Sequence, residues 1–165
     1  MRPQICNRWL AIWLVLMLLA GCASPPRIAN PPEQAVSLWA GRLSLRVEAD
    51  ASSSFTAGFE LKGNAQFGEL SLYGPFGATI AKLAWTPNDA RLRANGTERS
   101  FDSLDALVKE ATGTELPVSS IFQWLAGESV SSGGWQADLS GLGSGRLLAR
   151  RDAPPPAMEL RLVLE

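Results

Sequence analysis

The chain has 165 residues, 46% of them hydrophobic and 19% charged, which is the composition of about one globular domain. Fifteen basic and sixteen acidic side chains give a formal net charge of −1, without the cationic excess that nucleic-acid binding requires. The sequence has no histidine and two cysteines. Histidine-dependent catalysis and histidine-containing metal sites are therefore excluded, and we expect no metal, no cofactor and no nucleic-acid partner.

The first 21 residues have the organisation of a lipoprotein signal peptide. Arg2 and Arg8 form a positively charged start. The apolar run Trp9–Ala20 that follows is shorter than the roughly 20 residues that a membrane-spanning helix needs. The run ends in the sequence LAGC at residues 19–22, the pattern at which a cysteine receives a diacylglycerol before the leader is cleaved. We therefore predict a signal peptide over residues 1–21 and lipid attachment at Cys22.

A proline-rich stretch follows the cysteine. Residues 22–32 contain four prolines, which predicts an extended tether between the lipid and a domain formed by residues 33–165. Position 23 is alanine, whereas an aspartate there commonly retains Gram-negative lipoproteins in the inner membrane. The sequence thus favours a protein anchored through Cys22 to the periplasmic face of the outer membrane. Cleavage and lipidation would leave no free thiol, so stability would depend on the core alone.

Apolar and polar side chains alternate with a period of two in the first part of the domain, which predicts an antiparallel sheet with one apolar face. Asn95-Gly96 predicts a two-residue hairpin within it, because both residues tolerate a positive φ. The predicted strands lie at 43–47, 55–61, 70–72, 81–85 and 90–94, and they resume at Trp135–Ser140, Arg146–Arg151 and Glu159–Leu164.

Between these two groups of strands the apolar period becomes helical. One stripe follows an N-cap at Asp102 or Ser103 and precedes Gly113, and a second lies between Pro117 and Gly127. Both stripes must pack on the apolar face of the sheet, so we predict a curved sheet with two short helices across its concave face. The stripes are Leu104, Leu107, Val108 and Ala111, and then Val118, Ile121, Phe122 and Leu125.

The periodicity leaves open whether the helices fill the concave face or cover an apolar cavity. As ordinary core residues, the side chains concerned would be structural. If there is a cavity, the candidates for its wall are Leu43, Leu45, Phe55, Phe59, Leu61, Leu72, Leu107, Ile121, Phe122 and Leu125.

One predicted turn, Gly74-Pro75-Phe76-Gly77, carries an aromatic side chain. Pro and Gly serve the backbone of a turn, but Phe76 serves neither the backbone nor solubility. Its ring either folds back beneath the hairpin and caps the core, or protrudes as a tip that touches a membrane. Burial of a phenylalanine contributes roughly 1.5–3 kcal/mol, which is enough to bias a transient contact with lipid.

Several motifs in this order resemble the LolB family of outer-membrane lipoprotein receptors. They are the LAGC sequence, Trp39–Leu43, Gly74–Gly77, the segments Leu116–Val118 and Trp124–Gly127, Gly134-Trp135 and Glu159–Leu162. The resemblance implies a mainly β fold, an open (unclosed) antiparallel β-barrel with a helical lid over an apolar cavity. It also implies a monomer that accepts acylated lipoproteins from the periplasmic carrier LolA and inserts them into outer-membrane lipid.

In that family a protruding loop bears an exposed hydrophobic residue needed for insertion, and Phe76 occupies the matching position. The chain departs from the family between the second helix and Gly134, where Glu128–Gly133 is shorter than usual.

Two other functions are alternatives to this one. A structural envelope lipoprotein would act through protein contacts and have a solid core. A hydrolase would need a carboxylate pair such as Asp102 and Asp105, but these residues are better explained as the acidic first turn of a helix, where they favour its dipole. We therefore expect no enzymatic activity.

Overall fold

The alternating segments form antiparallel strands in the computed structural model, which describes residues 37–48, 50–112 and 115–165. The leader, Cys22 and the tether predicted from the sequence lie outside these residues. The described strands are β1 (Ser37–Val47), β2 (Phe55–Gly63), β3 (Gly68–Tyr73), β4 (Thr79–Thr86), β5 (Asp89–Ala94), β6 (Thr97–Phe101), β7 (Trp135–Asp138), β8 (Arg146–Arg151) and β9 (Met158–Leu164). The helices are α1 (Leu104–Thr112) and α2 (Val118–Leu125).

All the described strands belong to one sheet, in the order β6-β5-β4-β3-β2-β1-β9-β8-β7. The central strand β1 pairs with β2 on one side and with the last strand of the chain, β9, on the other. Strands β6 and β7 are the two edges, and the sheet is not closed between them. This arrangement confirms the prediction of an open, mainly β barrel with two short helices.

Burial alternates along the strands as the sequence predicts. In β1, Leu43, Leu45 and Val47 are buried, whereas Arg42 and Arg46 are exposed. Most apolar side chains of the strands therefore share one face, and most charged side chains share the other; Arg151 on β8 is a buried exception.

The hairpin between β5 and β6 confirms the turn predicted at Asn95-Gly96. Both residues have a positive φ, 52° and 74°, and Ala94 pairs directly with Thr97. A two-residue loop with this conformation matches the twist of the flanking strands.

Hydrogen bonds at the start of α1 and at the end of α2 satisfy backbone groups that the helices leave free. Ser103 Oγ accepts a hydrogen bond from the Ala106 N–H at 3.1 Å, at the N-terminus of α1. Helix α2 starts after Pro117 and ends at Leu125, and Gly127, which has φ 87°, follows it and donates to the Trp124 carbonyl at 2.9 Å. The C-cap predicted at Gly113 falls outside the described residues.

Both helices lie against the apolar face of the sheet and contribute Leu107, Val108, Phe122, Trp124 and Leu125 to a single buried cluster. Within the part of the chain that the structure describes, neither helix has the length and hydropathy needed to cross a membrane. The short segment after α2 forms no strand and makes one isolated bridge, between Ser132 and Trp135.

Candidate functional site

An apolar cavity of about 270 Å³ lies between the sheet and the two helices. Every side chain in its wall is apolar except Thr112, and none is titratable. The wall is formed by Leu43, Leu45, Phe55, Phe59, Leu61, Leu70, Leu72, Ala81, Leu83, Trp85, Leu92, Ala94, Leu104, Val108, Ala111, Thr112, Leu116, Val118, Ile121, Leu160 and Leu162.

The two side chains of this wall that can donate hydrogen bonds direct them to backbone carbonyls. Thr112 Oγ1 donates to the Val108 carbonyl at 2.8 Å, within α1. Trp85 Nε1 donates to the Asn64 carbonyl at 3.1 Å. The wall therefore presents mainly carbon surface, which favours an apolar ligand over water.

Trp85 reaches its position because residue 68 is a glycine. A Cβ atom at Gly68 would lie 2.3 Å from Trp85 Cζ2, a distance that side chains do not tolerate. The indole can lie across the start of β3 only where that strand lacks a side chain. Gly68 thus fixes one part of the cavity wall.

Small side chains account for the space between the helices and the sheet. Ala81 and Ala94 pair directly with each other on β4 and β5, and Ala111 lies on α1. All three line the cavity. Larger residues at these positions would fill it, because protein interiors otherwise pack densely.

Seven of the ten side chains that the sequence suggested for a cavity lie in this wall: Leu43, Leu45, Phe55, Phe59, Leu61, Leu72 and Ile121. The other three, Leu107, Phe122 and Leu125, are buried in the core without lining the cavity. Phe122 instead packs against Trp39 and Trp85, with ring centroids 5.6 and 6.2 Å apart.

Six further large side chains of the strands, which the sequence does not single out, line the cavity, although their strands alternate in the same way. They are Leu70, Leu83, Trp85, Leu92, Leu160 and Leu162 among the large side chains of the strands. That these residues line the cavity follows once the pairing of the strands is known.

The turn between β3 and β4 (Gly74–Ala78, here called the exposed hairpin) presents Phe76 to solvent with 99% of its side chain exposed. The Gly77 N–H donates to the Gly74 carbonyl at 3.0 Å, and the Gly74 N–H donates to the Ala78 carbonyl at 2.9 Å. Gly77 has φ 78°, which a glycine adopts without strain. The ring does not fold back onto the core, so the exposed hairpin carries an unshielded aromatic tip.

The exposed hairpin lies at the end of the sheet opposite to the point where β1 begins. Ser37 pairs with Gly63, the last residue of β2, and Gly68 at the start of β3 also pairs with Gly63. Strand β3 then runs away from this end and finishes at Tyr73, just before the exposed hairpin. Phe55, the first residue of β2, is at the same end as the hairpin.

Charged groups lie away from the cavity. Arg161 and Arg150 donate to Glu159 at 2.6 and 2.9 Å, and these bonds lower the pKa of the Glu159 carboxyl. A larger cleft of about 760 Å³ beside Glu159 is lined by side chains of both charges. Asp102 and Asp105 are both exposed. Among the described residues no group of three His, Cys, Asp or Glu side chains is placed to hold a metal ion.

The fold and the site together define an open β-barrel with two helices over an apolar cavity and an exposed aromatic hairpin at one end. Residues 38–150 match the family model described as outer membrane lipoprotein LolB. The chain therefore belongs to the LolB family of outer-membrane lipoproteins.

Individual members of the family are similar over most of their length. The outer-membrane lipoprotein LolB of Bordetella petrii is 31% identical, over 94% of this chain and 90% of its own. The protein of the same name from Bordetella pertussis is 29% identical over 98% and 96%, and that of Dechloromonas aromatica is 32% identical over 72% and 65%.

Proposed function

We propose that this protein accepts acylated lipoproteins from the periplasmic carrier LolA and inserts them into the inner leaflet of the outer membrane. The acyl chains of the cargo would occupy the apolar cavity during transfer, and no covalent step is involved. A lipid on Cys22 would hold the protein at the membrane that receives the cargo. The single observation that carries this proposal is the cavity beneath the two helices.

The chemistry of the wall suits an acyl chain. Each methylene moved from water into apolar surroundings contributes about 0.8 kcal/mol, so a chain cannot cross the periplasm unshielded. The wall offers carbon surface with one hydroxyl, on Thr112, which already donates to a backbone carbonyl. Binding of an acyl chain would therefore remove no charged group of the cavity wall from water.

The size of the cavity implies that the helices move when cargo enters. Sites for small ligands usually measure roughly 300–1,000 Å³, and this cavity measures about 270 Å³. We infer that α1 and α2 shift outward to admit a full acyl chain. Their contacts with the sheet are mainly apolar, so an outward shift exposes apolar surface at a cost of about 25 cal/mol per Å², which burial of the acyl chain would offset.

The direction of transfer needs no nucleotide. If the cavity binds an acyl chain more tightly than the carrier does, and the bilayer binds it more tightly still, the differences in affinity alone drive the cargo forward. Anchoring at the membrane raises the frequency of encounters with lipid without changing these affinities.

Phe76 would make the contact with the bilayer. Burial of one phenylalanine contributes roughly 1.5–3 kcal/mol, too little for anchoring but enough to bring the exposed hairpin transiently into lipid. The Phe76 side chain is 99% exposed at the tip of a turn, where its ring is free to enter lipid. This exposure supports a role for Phe76 in delivery.

The test is the substitution Phe76→Glu, followed by transfer of a lipoprotein from LolA into vesicles. We expect insertion into lipid to fall about tenfold or more, since a charge at the tip opposes entry into the bilayer. Acceptance of cargo from LolA should be unchanged. Phe67→Glu is the matched control, because Phe67 is 44% exposed and lies just before β3, away from the exposed hairpin. Insertion by Phe76→Glu at the rate of the unchanged protein would contradict the role of the hairpin.

A structural lipoprotein with a solid core makes the opposite prediction for the cavity itself. An apolar dye whose fluorescence rises in a dry environment should bind this protein and be displaced by a lipoprotein. A protein that acts through surface contacts alone should bind neither.

A further inference from the structure

Phe55 both lines the cavity and reaches solvent. Its side chain is 36% exposed, whereas the other strand residues of the wall are buried or half-buried. Phe59 lies four residues further along the same face of β2 and is 4% exposed. The cavity is therefore thinly closed at the Phe55 end of β2 and deeply enclosed further along it.

The sheet has a notch beside Phe55. The ladder between β1 and β2 extends as far as the pair Leu45 and Phe55. The ladder between β2 and β3 begins three residues later, at the pair Gly58 and Tyr73. The first three residues of β2 thus extend past β3, because the chain leaves the sheet after Tyr73 to form the exposed hairpin.

The notch lies between Phe55, in the cavity wall, and the exposed hairpin. The hairpin continues directly from Tyr73, so it borders the notch on one side while Phe55 borders it on the other. A chain leaving the cavity through the notch would emerge next to Phe76, which is the most exposed large hydrophobic side chain of the described residues.

We propose that acyl chains enter and leave the cavity through this notch, and that Phe55 lies at its opening and controls their passage. The inference rests on the proposed function, because it assumes that acyl chains occupy the cavity. The Phe55 ring covers the opening and must turn aside for a chain to pass. It therefore controls how fast acyl chains exchange, while the remaining wall controls how tightly they bind.

The experiment uses the full chain in phosphatidylethanolamine vesicles and palmitic acid that carries a nitroxide on its chain. Trp85 lies in the cavity wall, so a nitroxide inside the cavity quenches its fluorescence. The Trp85→Phe variant identifies the part of the signal that belongs to this residue. Stopped-flow mixing of the protein vesicles with the probe gives the rate of entry, and dilution into probe-free vesicles gives the rate of exit.

We expect Phe55→Ala to raise both rates about fivefold and to change the final extent of quenching little, since an obstacle is lost from the path and little from the wall. Phe67→Ala is the matched control, because it removes a phenylalanine of similar exposure that does not line the cavity. Its rates should equal those of the unchanged chain.

A second measurement adds bulk at the same place. In Phe55→Cys, reaction with maleimides of increasing size should slow entry and exit step by step, and the same treatment of Phe67→Cys should not. Equal rates in all Phe55 variants, with quenching of Trp85 preserved, would overturn the proposed control of exchange by Phe55. That result would leave the binding of acyl chains in the cavity intact. Absence of Trp85 quenching in every variant would overturn both the control of exchange by Phe55 and the binding of acyl chains in the cavity.

Discussion

The interior of this domain contains two regions that differ in how they are filled. The packed region consists of Leu107, Trp124, Trp135, Leu147 and Ala149, which are at most 2% exposed and do not line the cavity. The hollow region is the cavity wall, which surrounds about 270 Å³ of space under the same helices. Both regions belong to one continuous buried cluster.

The packed region contains two large indole rings whose polar atoms are hydrogen-bonded. Trp124 Nε1 donates to the Val130 carbonyl at 2.8 Å, and Trp135 Nε1 donates to the Glu115 carbonyl at 3.4 Å. The guanidinium of Arg151, itself 5% exposed, lies 5.7 Å from the centre of the Trp135 ring. Aromatic volume and specific hydrogen bonds fill this part of the molecule.

The two regions of this single core therefore have different roles. The packed region supplies the stability that a domain without a disulfide needs, and the hollow region gives up some of that stability to keep room for a ligand. A smaller side chain in the packed region should therefore lower the free energy of unfolding strongly. A larger side chain in the hollow region should change it little.

Trp124→Ala should produce the largest effect on stability. The side chain is fully buried and bonded to Val130, so its removal leaves a cavity and an unpaired carbonyl. We expect a loss of about 3–5 kcal/mol in the free energy of unfolding, measured by urea denaturation. Ile121→Ala, on the same helix but in the cavity wall, should cost less than about 2 kcal/mol, because Ile121 is half-buried beside existing space. Equal losses in the two variants would contradict the distinction between the regions.

Two alanines allow the opposite change. Ala149→Leu adds volume where the alanine is 0% exposed, and should lower the free energy of unfolding by about 1–3 kcal/mol. Ala81→Leu adds the same volume next to the cavity, and should leave the free energy of unfolding within about 0.5 kcal/mol of its original value. Binding of the apolar dye should fall in Ala81→Leu alone, because only that leucine occupies the ligand's space. Dye binding that survives Ala81→Leu would place the ligand elsewhere.

Much of the fold follows from local patterns in the sequence, and part of the site does not. The period of two predicts the strands because successive side chains face the core and the solvent in turn. Asn95, Gly96 and Gly127 mark a turn and a helix end because they adopt a positive φ. The pairing of β1 with β9 joins residues more than a hundred positions apart. No local pattern reports such a contact, because it depends on the tertiary fold.

The division between packed and hollow regions depends on how the helices sit on the sheet. Ile121 and Phe122 are neighbours on one apolar stripe, yet Ile121 lines the cavity and Phe122 packs against Trp39. Both satisfy the same helical period, so periodicity assigns them the same face. The sequence also left two conformations open for Phe76, because a turn residue can fold back or protrude without any change in its neighbours.

Phe122 lies at the border of the two regions, and its substitution should give a small loss of stability. Its ring meets Trp39 edge-on at 61° and Trp85 at 58°, and Trp85 belongs to the cavity wall. Phe122→Leu keeps most of the volume and loses the aromatic contacts, so we expect a loss of about 1 kcal/mol in the free energy of unfolding. Double-mutant cycles with Trp39→Leu and Trp85→Leu measure the two contacts separately. Coupling to both rings would mean that a ligand moving Trp85 also strains the Trp39 contact, and coupling to Trp39 alone would show that the wall moves independently of the packed core.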